Sequence, residues 1–345
     1  MARWTGPRLF IGGKGFALAT AARLRFGCRQ IPVRRALSRR TPMNNVNGIL
    51  LVVAAMAAFT LEDIFIKILS AEVPTGQIML VLGLFCAAVF LVMAVVTRKP
   101  VFTRVAWSPL PLMRAGTEAV SALTFITALS LVDLSTVAAV FQAMPLAVTM
   151  GAALFLGETV GWRRWSAIGV GFAGVLMIIR PGMEGFRPES LFVVASVIAV
   201  AARDLITRRI DARVASAVVS FQAYLALVLV GGVMMALSPG GFAPVTSVQV
   251  GPYAGAVIFG VLGYHGIVTA MRVGEASAVT PFRYTRLVFS ILAGMLVFGE
   301  QPDLLTLAGA TLIIGSGLYT FLRERRLARE MARSRNASGQ IAKAT

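Results

Sequence analysis

The sequence predicts an all-α polytopic membrane protein of about ten transmembrane helices, arranged as two inverted five-helix repeats. Of its 345 residues, 57% are hydrophobic and 14% are charged, and the mean hydropathy is +0.79. Soluble domains are much less apolar than this. Apolar runs close to the roughly 20 residues that cross a bilayer recur along the chain. We place these spans at about 47–69, 75–97, 110–130, 134–156, 163–180, 190–208, 214–237, 250–271, 276–298 and 303–322.

The repeat is visible in the residues themselves. The segment 52–63 recurs as 193–204, at an offset of 141 residues, and both copies end in an aspartate. Gly157-Glu158 recurs as Gly299-Glu300 at an offset of 142. Since each copy holds five spans, an odd number, the two copies must lie upside down relative to each other. Inverted repeats of this kind place a substrate site at their interface, near the middle of the bilayer.

Four regions follow from this pattern: a basic extension at 1–42, a first repeat at 47–180, a second repeat at 190–322 and a basic tail at 323–345. The extension holds ten Arg and Lys residues and no acid, and the tail holds seven basic and two acidic residues. We expect the extension to be a disordered arm or sequence upstream of a true start at Met43; the alternative is a targeting or membrane-surface segment. We expect the tail to lie against anionic headgroups.

The net charge of +18 is concentrated at the two ends of the chain. This distribution is the positive-inside signature of a membrane protein and not a nucleic-acid-binding surface, for which no basic domain with interleaved aromatic residues is present. Basic connections alternate with neutral, acidic or mixed ones. We therefore predict a multi-pass protein of the inner cell membrane with both termini in the cytoplasm. The basic connections lie at 98–104, 163–164, 208–213 and 272.

Enzyme signatures are missing from the sequence. One histidine and two cysteines cannot build a multi-histidine metal centre, a zinc site or a disulfide framework. Neither a nucleophile-elbow serine motif nor a phosphate-binding loop occurs. We predict that the protein is not an enzyme and uses no metal or cofactor, and that any transport it performs is secondary.

Ionisable residues inside the spans are the sharpest functional signal, because each costs several kcal/mol unless it is paired or hydrated. Two pairs, Asp63 with Lys67 and Arg114 with Glu118, are four residues apart and can close local ion pairs on one helix face. Lysine and arginine near span ends can instead snorkel to the interface. The full set is Glu62, Asp63, Lys67, Arg114, Glu118, Arg203, Asp204, Arg283 and Arg286.

Arg283 and Arg286 differ from the rest of this set. They lie three residues apart on one face of the ninth span, and their equivalents in the first repeat are apolar. A charge present in only one copy of a symmetric scaffold is explained more easily by a ligand than by folding. We predict a substrate-binding site for a carboxylate or phosphate group here. The alternative is a fixed salt bridge to Glu118 or Asp204.

Other polar residues of the spans complete the predicted site. Gln142, Gln222, Tyr264 and Tyr284 are substrate-binding candidates, although each can equally serve as a hydrogen bond between helices. The proton-coupling candidates are titratable groups at membrane depth. For the histidine among them, simple packing is the alternative to a proton relay. These candidates are Glu62, Asp63, Glu118 and His265.

Small residues four apart, Gly169 with Ala173 in the fifth span and Thr311 with Gly315 in the tenth, allow helices to approach closely. We expect these two spans to pack on other helices, on each other, or at a homodimer face.

The stretch at 141–146, followed by 154–158 and 169–174, resembles the end of the repeat in the drug/metabolite transporter superfamily, of the EamA type. The second copy is similar but carries Leu287 where the first has the mid-span Pro145. A proline inside a span is expected to loosen or kink its helix. The resemblance covers about 47–322, and it implies ten helices in two inverted halves around a central cavity.

The resemblance also implies secondary transport of a small metabolite by alternating access of the two halves. The arginines of the ninth span argue against a neutral hydrophobic drug, so we expect an amino acid or a related zwitterion or anion, moved by export. The alternative is an uptake or exchange carrier for an S-adenosylmethionine-like or nucleotide metabolite. A membrane-embedded enzyme or sensor is the disfavoured non-transport alternative. The expected partners are the lipid bilayer, the substrate, protons as coupling ion and a second copy of the chain, without nucleic acid.

Overall fold

The computed structural model describes residues 45–158, 160–183, 186–211, 213–238, 240–273 and 279–344, and the regular secondary structure within these ranges is helical. The expectations for the extension and for a start at Met43 lie outside the described residues. The helices of the first repeat are α1 (Asn45–Ser70), α2 (Thr75–Val96), α3 (Pro109–Leu131), α4 (Leu134–Phe141), α5 (Met144–Phe155) and α6 (Trp162–Ile179).

The second repeat begins with a short 3-10 helix (Pro188–Ser190) that leads into α7. A second 3-10 helix (Thr280–Tyr284) precedes α10. The helices are α7 (Leu191–Thr207), α8 (Ser216–Leu237), α9 (Ser247–Val273), α10 (Thr285–Phe298) and α11 (Leu304–Ala344).

When α4 is joined to α5 and the second 3-10 helix to α10, the described residues form ten helical segments, close to the predicted spans. Eight of these are long and apolar enough to cross a membrane. The other two, α3 and α6, carry charged residues that lower their hydropathy. They hold Arg114 with Glu118 and Arg163 with Arg164.

The repeated Gly-Glu dipeptide ends α5 and α10 in the same way. Gly157 and Gly299 both have φ of 66°, a left-handed conformation that glycine adopts without the steric penalty of a side chain. The chain therefore turns at equivalent points of the two copies, and each turn places a glutamate just beyond the helix.

Contacts between the repeats follow the two-fold relation that the sequence implies. Helix α1 packs on α9, and α3 packs on α7. Because α7 is the repeat equivalent of α1 and α9 is that of α3, each of these contacts is the repeat equivalent of the other. Helix α2 packs on its own equivalent α8, and α6 packs on its equivalent α11. Residues at the interface between the repeats are therefore the ones that can form a shared site.

Two ends of the helical bundle can be distinguished by their contacts. At the predicted outer end, the connections after α6 and α10 are joined by Arg180 and Asp303. At the predicted inner end, the connections after α5 and α7 are joined by Glu158 and Arg208.

The fourth span is broken as expected from Pro145. Helix α4 ends at Phe141, and Pro145 lies in the first turn of α5, where the missing proline N–H leaves no bond unmade. Gln142 and Ala143 connect the two helices. The equivalent point of the second repeat is occupied by the 3-10 helix with Pro281 in its first turn. Both irregular points face the interface between the repeats.

Close packing of the fifth and tenth spans is confirmed, and within the chain it is mediated by other glycines than Gly169 and Gly315. A Cβ atom built on Gly174 would lie 2.6 Å from the Gly309 carbonyl oxygen, so these two glycines mark the crossing of α6 and α11. A Cβ atom on Gly169 or Gly315 would meet nothing within 4 Å. The spacing identified the helices, whereas the face that each helix turns to its neighbour depends on the assembled bundle.

Replacing Gly174 with alanine is expected to destabilise the protein by about 1–3 kcal/mol, because the added methyl group pushes against backbone that has no room to move. Gly169→Ala is the matched control, since it makes the same change on the same helix in open space. Thermal unfolding in detergent micelles measures both. Equal melting temperatures for the two variants would contradict the proposed crossing.

Candidate functional site

A cavity of about 360 Å³ lies among α1, α4, α5, α7, α10, α11 and the second 3-10 helix. Its volume falls in the range of about 300–1,000 Å³ that is typical of small-molecule sites. Four of the six predicted substrate-binding residues line it together: Gln142, Arg283, Tyr284 and Arg286. The other polar lining residues are Thr149, Asp204, Arg208, Thr280 and Thr320.

Arg286 is held inside the protein by an acid and by aromatic rings. Its guanidinium donates to both carboxylate oxygens of Asp63, at 2.7 and 3.0 Å, and Asp63 is only 3% exposed. The guanidinium also lies over the rings of Phe59, Phe125 and Phe141, at 5.4, 5.8 and 5.7 Å from their centroids. A cation over ring faces is stabilised by their quadrupoles, so Arg286 is already compensated without a ligand.

The local ion pair that the spacing allowed between Asp63 and Lys67 is not formed. Asp63 pairs with Arg286 of the ninth span instead. Glu118 and Asp204 are the carboxylate partners that the sequence suggested for Arg286, and Asp63 is neither of these. Lys67 donates to the Val132 carbonyl at 2.6 Å and lies 3.6 Å from the Glu300 carboxylate. An arginine that offers two hydrogen bonds to one carboxylate is the stronger partner in a dry site.

A second charged cluster links α3 to α7. The local pair of Arg114 with Glu118 is confirmed at 3.0 Å. Glu118 also accepts a hydrogen bond from Arg203 at 2.9 Å, and Arg203 bonds Asp204 at 2.8 Å. This chain of alternating charges compensates each member and brings Asp204 to the wall of the cavity.

Arg283 and Gln142 offer hydrogen-bond donors that the described part of the protein leaves unused. Arg283 is surrounded by protein atoms yet exposed to the cavity, and no hydrogen bond or ion pair holds its guanidinium among the described residues. The Nε2 atom of Gln142 is buried and has no partner there either. Asp204 lines the same cavity and is itself paired with Arg203. A ligand with acceptor oxygens in the cavity would satisfy the guanidinium of Arg283.

The structure does not bring Gln222 and Tyr264 to this cavity. Gln222 donates to the Ala106 carbonyl at 2.7 Å, and Ser220 donates to the Tyr264 hydroxyl at 2.6 Å. These bonds tie α8 to the connection before α3 and to α9. The two side chains act here as links between helices, the alternative that the sequence left open.

The four proton-coupling candidates lie in different surroundings. Asp63 and Glu118 are both in ion pairs. Glu62 lies against the backbone of α9, where a Cβ atom on Gly260 would come within 2.6 Å of its carboxylate, and no hydrogen bond or ion pair of Glu62 occurs among the described residues. His265 is exposed on α9.

Sequence reasoning missed the rings that surround Arg286 and the close approach of Tyr284 to Gly317, where a side chain would collide with the Tyr284 hydroxyl. A signal for one ring was available. Phe59 precedes Asp63 by four residues and so lies on the same face of α1. The other two rings come from separate helices and carry no such signal.

Two packed helical repeats that share a charged cavity define a multi-pass membrane protein. Residues 46–180 match the model of the EamA-like transporter family. The first repeat thus matches an EamA-like transporter domain, and the curated relatives that the chain resembles are named as transporters.

Over 203 residues the chain is 30% identical to an S-adenosylmethionine uptake transporter of Rickettsia felis, and this match covers 57% of the chain and 66% of that protein, just under two thirds of its length. Over 271 residues it is 25% identical to a pseudopaline exporter of Pseudomonas aeruginosa, covering 78% of the chain and 93% of the relative. One solved crystal structure aligns with a TM-score of 0.53 at 21% identity, over 79% of this chain and 98% of that one, a likeness of fold alone.

Proposed function

We propose that the protein is a secondary-active transporter of a small anionic or zwitterionic metabolite and that the cavity is its substrate site. The observation that carries the proposal is Arg283, a guanidinium without an ion-pair partner among the described residues, facing a cavity of metabolite size. A substrate carboxylate would accept hydrogen bonds from Arg283 and from the Gln142 amide. Asp204 on the same wall is paired with Arg203 through its Oδ1 atom, and we propose that its other carboxylate oxygen accepts a hydrogen bond from the ammonium group of a zwitterionic substrate.

Arg286 has a different part in this proposal from the one that the sequence suggested. Because Asp63 already neutralises it, Arg286 contributes little net charge to the cavity. The site therefore offers one uncompensated positive group and suits a single carboxylate better than a phosphate dianion. Export is the direction we propose, by alternating access of the two repeats.

A second candidate is uptake or exchange of an S-adenosylmethionine-like metabolite. The observation in its favour is the 30% identity with the uptake transporter of Rickettsia felis. Such a substrate also joins a carboxylate to positive charge, so the same cavity residues would serve.

We propose the proton as coupling ion, with Glu62 as the first candidate to carry it. Among the four candidates, Glu62 is the carboxylate without an ion pair in the described part of the chain, and it lies beside Asp63 at the α1–α9 contact. We also propose that both termini lie in the cytoplasm and that 47–180 and 190–322 are the two repeat units. The proposed assembly is a homodimer.

Proteoliposomes containing the purified protein test this function. A panel of labelled amino acids, other zwitterions, monocarboxylates, phosphorylated metabolites and neutral drugs is assayed for uptake and efflux, with and without a pH gradient. We expect saturable flux of a zwitterion or monoanion that rises with the gradient. Flux confined to neutral compounds would overturn the substrate class, and flux indifferent to the gradient would overturn proton coupling.

A further inference from the structure

Two ion pairs at opposite ends of the molecule are equivalent under the internal repeat. Lys67 and Arg208 are 141 residues apart, and Glu158 and Glu300 are 142 apart, the same offsets that relate the repeats elsewhere. Lys67 lies 3.6 Å from Glu300, and Arg208 donates to Glu158 at 3.1 Å. Each pair thus joins a basic residue near the end of the first helix of one repeat to the Gly-Glu turn of the other repeat.

The pair at the predicted outer end is buried and heavily bonded. The side chains of Lys67 and Glu300 are 17% and 6% exposed. Glu300 also accepts hydrogen bonds from the Leu134 and Ser135 backbone N–H groups, at 2.6 and 2.9 Å, and from the Ser135 hydroxyl at 2.7 Å. It therefore caps the N-terminus of α4, where the helix dipole favours a negative charge.

The pair at the predicted inner end is open to solvent. The side chains of Arg208 and Glu158 are 52% and 48% exposed, and within the described residues the Glu158 carboxylate bonds only to Arg208. At the outer end a further contact between the repeats, Arg180 to Asp303, adds to the closure. Hydrogen bonds from Arg180 and Thr306 lower the pKa of Asp303 to about 2, so the contact stays ionised well below physiological pH.

The position of the cavity agrees with this difference. Its lining runs from Met56 and Phe59 in the middle of α1 to Arg208 and Phe321, at the predicted inner ends of the sixth and tenth spans. The cavity thus extends toward the end where the ion pair is exposed. The buried pair lies at the other end.

We propose that Lys67–Glu300 and Arg208–Glu158 are the outer and inner latches of an alternating-access cycle and that this structure has the outer latch closed. A symmetric scaffold with one buried and one exposed latch is what a transporter open at one end requires. Opening the outer end breaks the bonds of Glu300 to α4 and Lys67, while the inner latch becomes buried. This inference deepens the proposed function and rests on it for its place in a transport cycle.

Sided cysteine labelling tests the latches without a substrate. Met144→Cys, in the cavity wall, is the reporter in a chain whose two native cysteines are replaced, and a membrane-impermeant maleimide is applied to right-side-out or inverted vesicles. In the parent chain we expect labelling from the inner side. Glu300→Gln should raise the labelling rate from the outer side by about tenfold, because charge-assisted hydrogen bonds to α4 and Lys67 are lost.

Two further variants decide the outcome. Lys67→Gln leaves the α4 cap in place and should also raise outer labelling, which covers the case in which Glu300→Gln fails to fold. Glu158→Gln is the matched control for removing a glutamate charge; because it weakens the inner latch and leaves the outer one intact, it should not raise outer labelling above the parent rate. Unchanged outer labelling in Glu300→Gln and Lys67→Gln, or an equal rise in Glu158→Gln, would overturn the latches. If no compound is transported but the labelling behaves as expected, the function has failed and the latches stand.

Discussion

Arg286→Gln is expected to destabilise the folded protein by roughly 3–5 kcal/mol, the penalty for leaving one member of a buried ion pair without its partner. Asp63 is the member left behind, 3% exposed and without another cation bonded to it among the described residues. Glutamine also forfeits the attraction between the guanidinium and three aromatic rings. Unfolding in detergent micelles, followed by thermal melting and denaturant titration, measures the loss.

The double variant Asp63→Asn with Arg286→Gln identifies the partner of Arg286. Removing both charges should recover most of the lost stability, since the cost of the single change comes from the unpaired carboxylate. Arg104→Gln, which removes an exposed arginine outside the cavity, controls for the change of net charge. Preserved stability in Arg286→Gln together with weakened substrate binding would instead make Arg286 a ligand-binding residue, as the sequence alone suggested.

Arg283→Gln is expected to weaken substrate binding and to leave stability nearly unchanged. The apparent Kd of the substrate found in the proteoliposome screen should rise about tenfold or more, because a hydrogen bond to a charged group contributes roughly 1.5–3 kcal/mol. Stability should change little, since no ion pair of Arg283 is lost within the described residues. Equilibrium binding to the purified protein measures the affinity, with Arg104→Gln as the control. Normal affinity in Arg283→Gln would remove the anion site from the cavity.

The spans and their order were predictable from the sequence, because hydropathy and the repeat are properties of the chain read in one dimension. The break at Pro145 was predictable for the same reason, since proline acts on its own helix. The recurrence of Gly157-Glu158 as Gly299-Glu300 likewise marked equivalent points of the two copies, where the structure has turns.

Pairings across helices were not predictable in the same way. The spacing of Asp63 and Lys67 states only that they can meet, and it holds no information on which helices flank α1. In the folded protein Asp63 pairs with Arg286 and Lys67 pairs with Glu300, so Asp63 and Lys67 do not pair with each other. Gln222 is a polar residue inside a predicted span, as expected of a cavity residue, yet its side chain donates to the Ala106 backbone carbonyl.

The packing of α2 on α8 and of α6 on α11 has a consequence for chemical variety. A surface that packs on its own equivalent is self-complementary, as in an isologous dimer of identical subunits. Two identical halves would show every side chain twice, and an arginine on the cavity wall would always have a twin across the axis. Because the two halves are separate segments of one chain, their sequences can differ and equivalent positions can carry different side chains. One copy can keep Phe141 and Met144 where the other carries Arg283 and Arg286. A scaffold with two-fold packing can therefore form a cavity whose two walls differ in charge, which suits a ligand without two-fold symmetry.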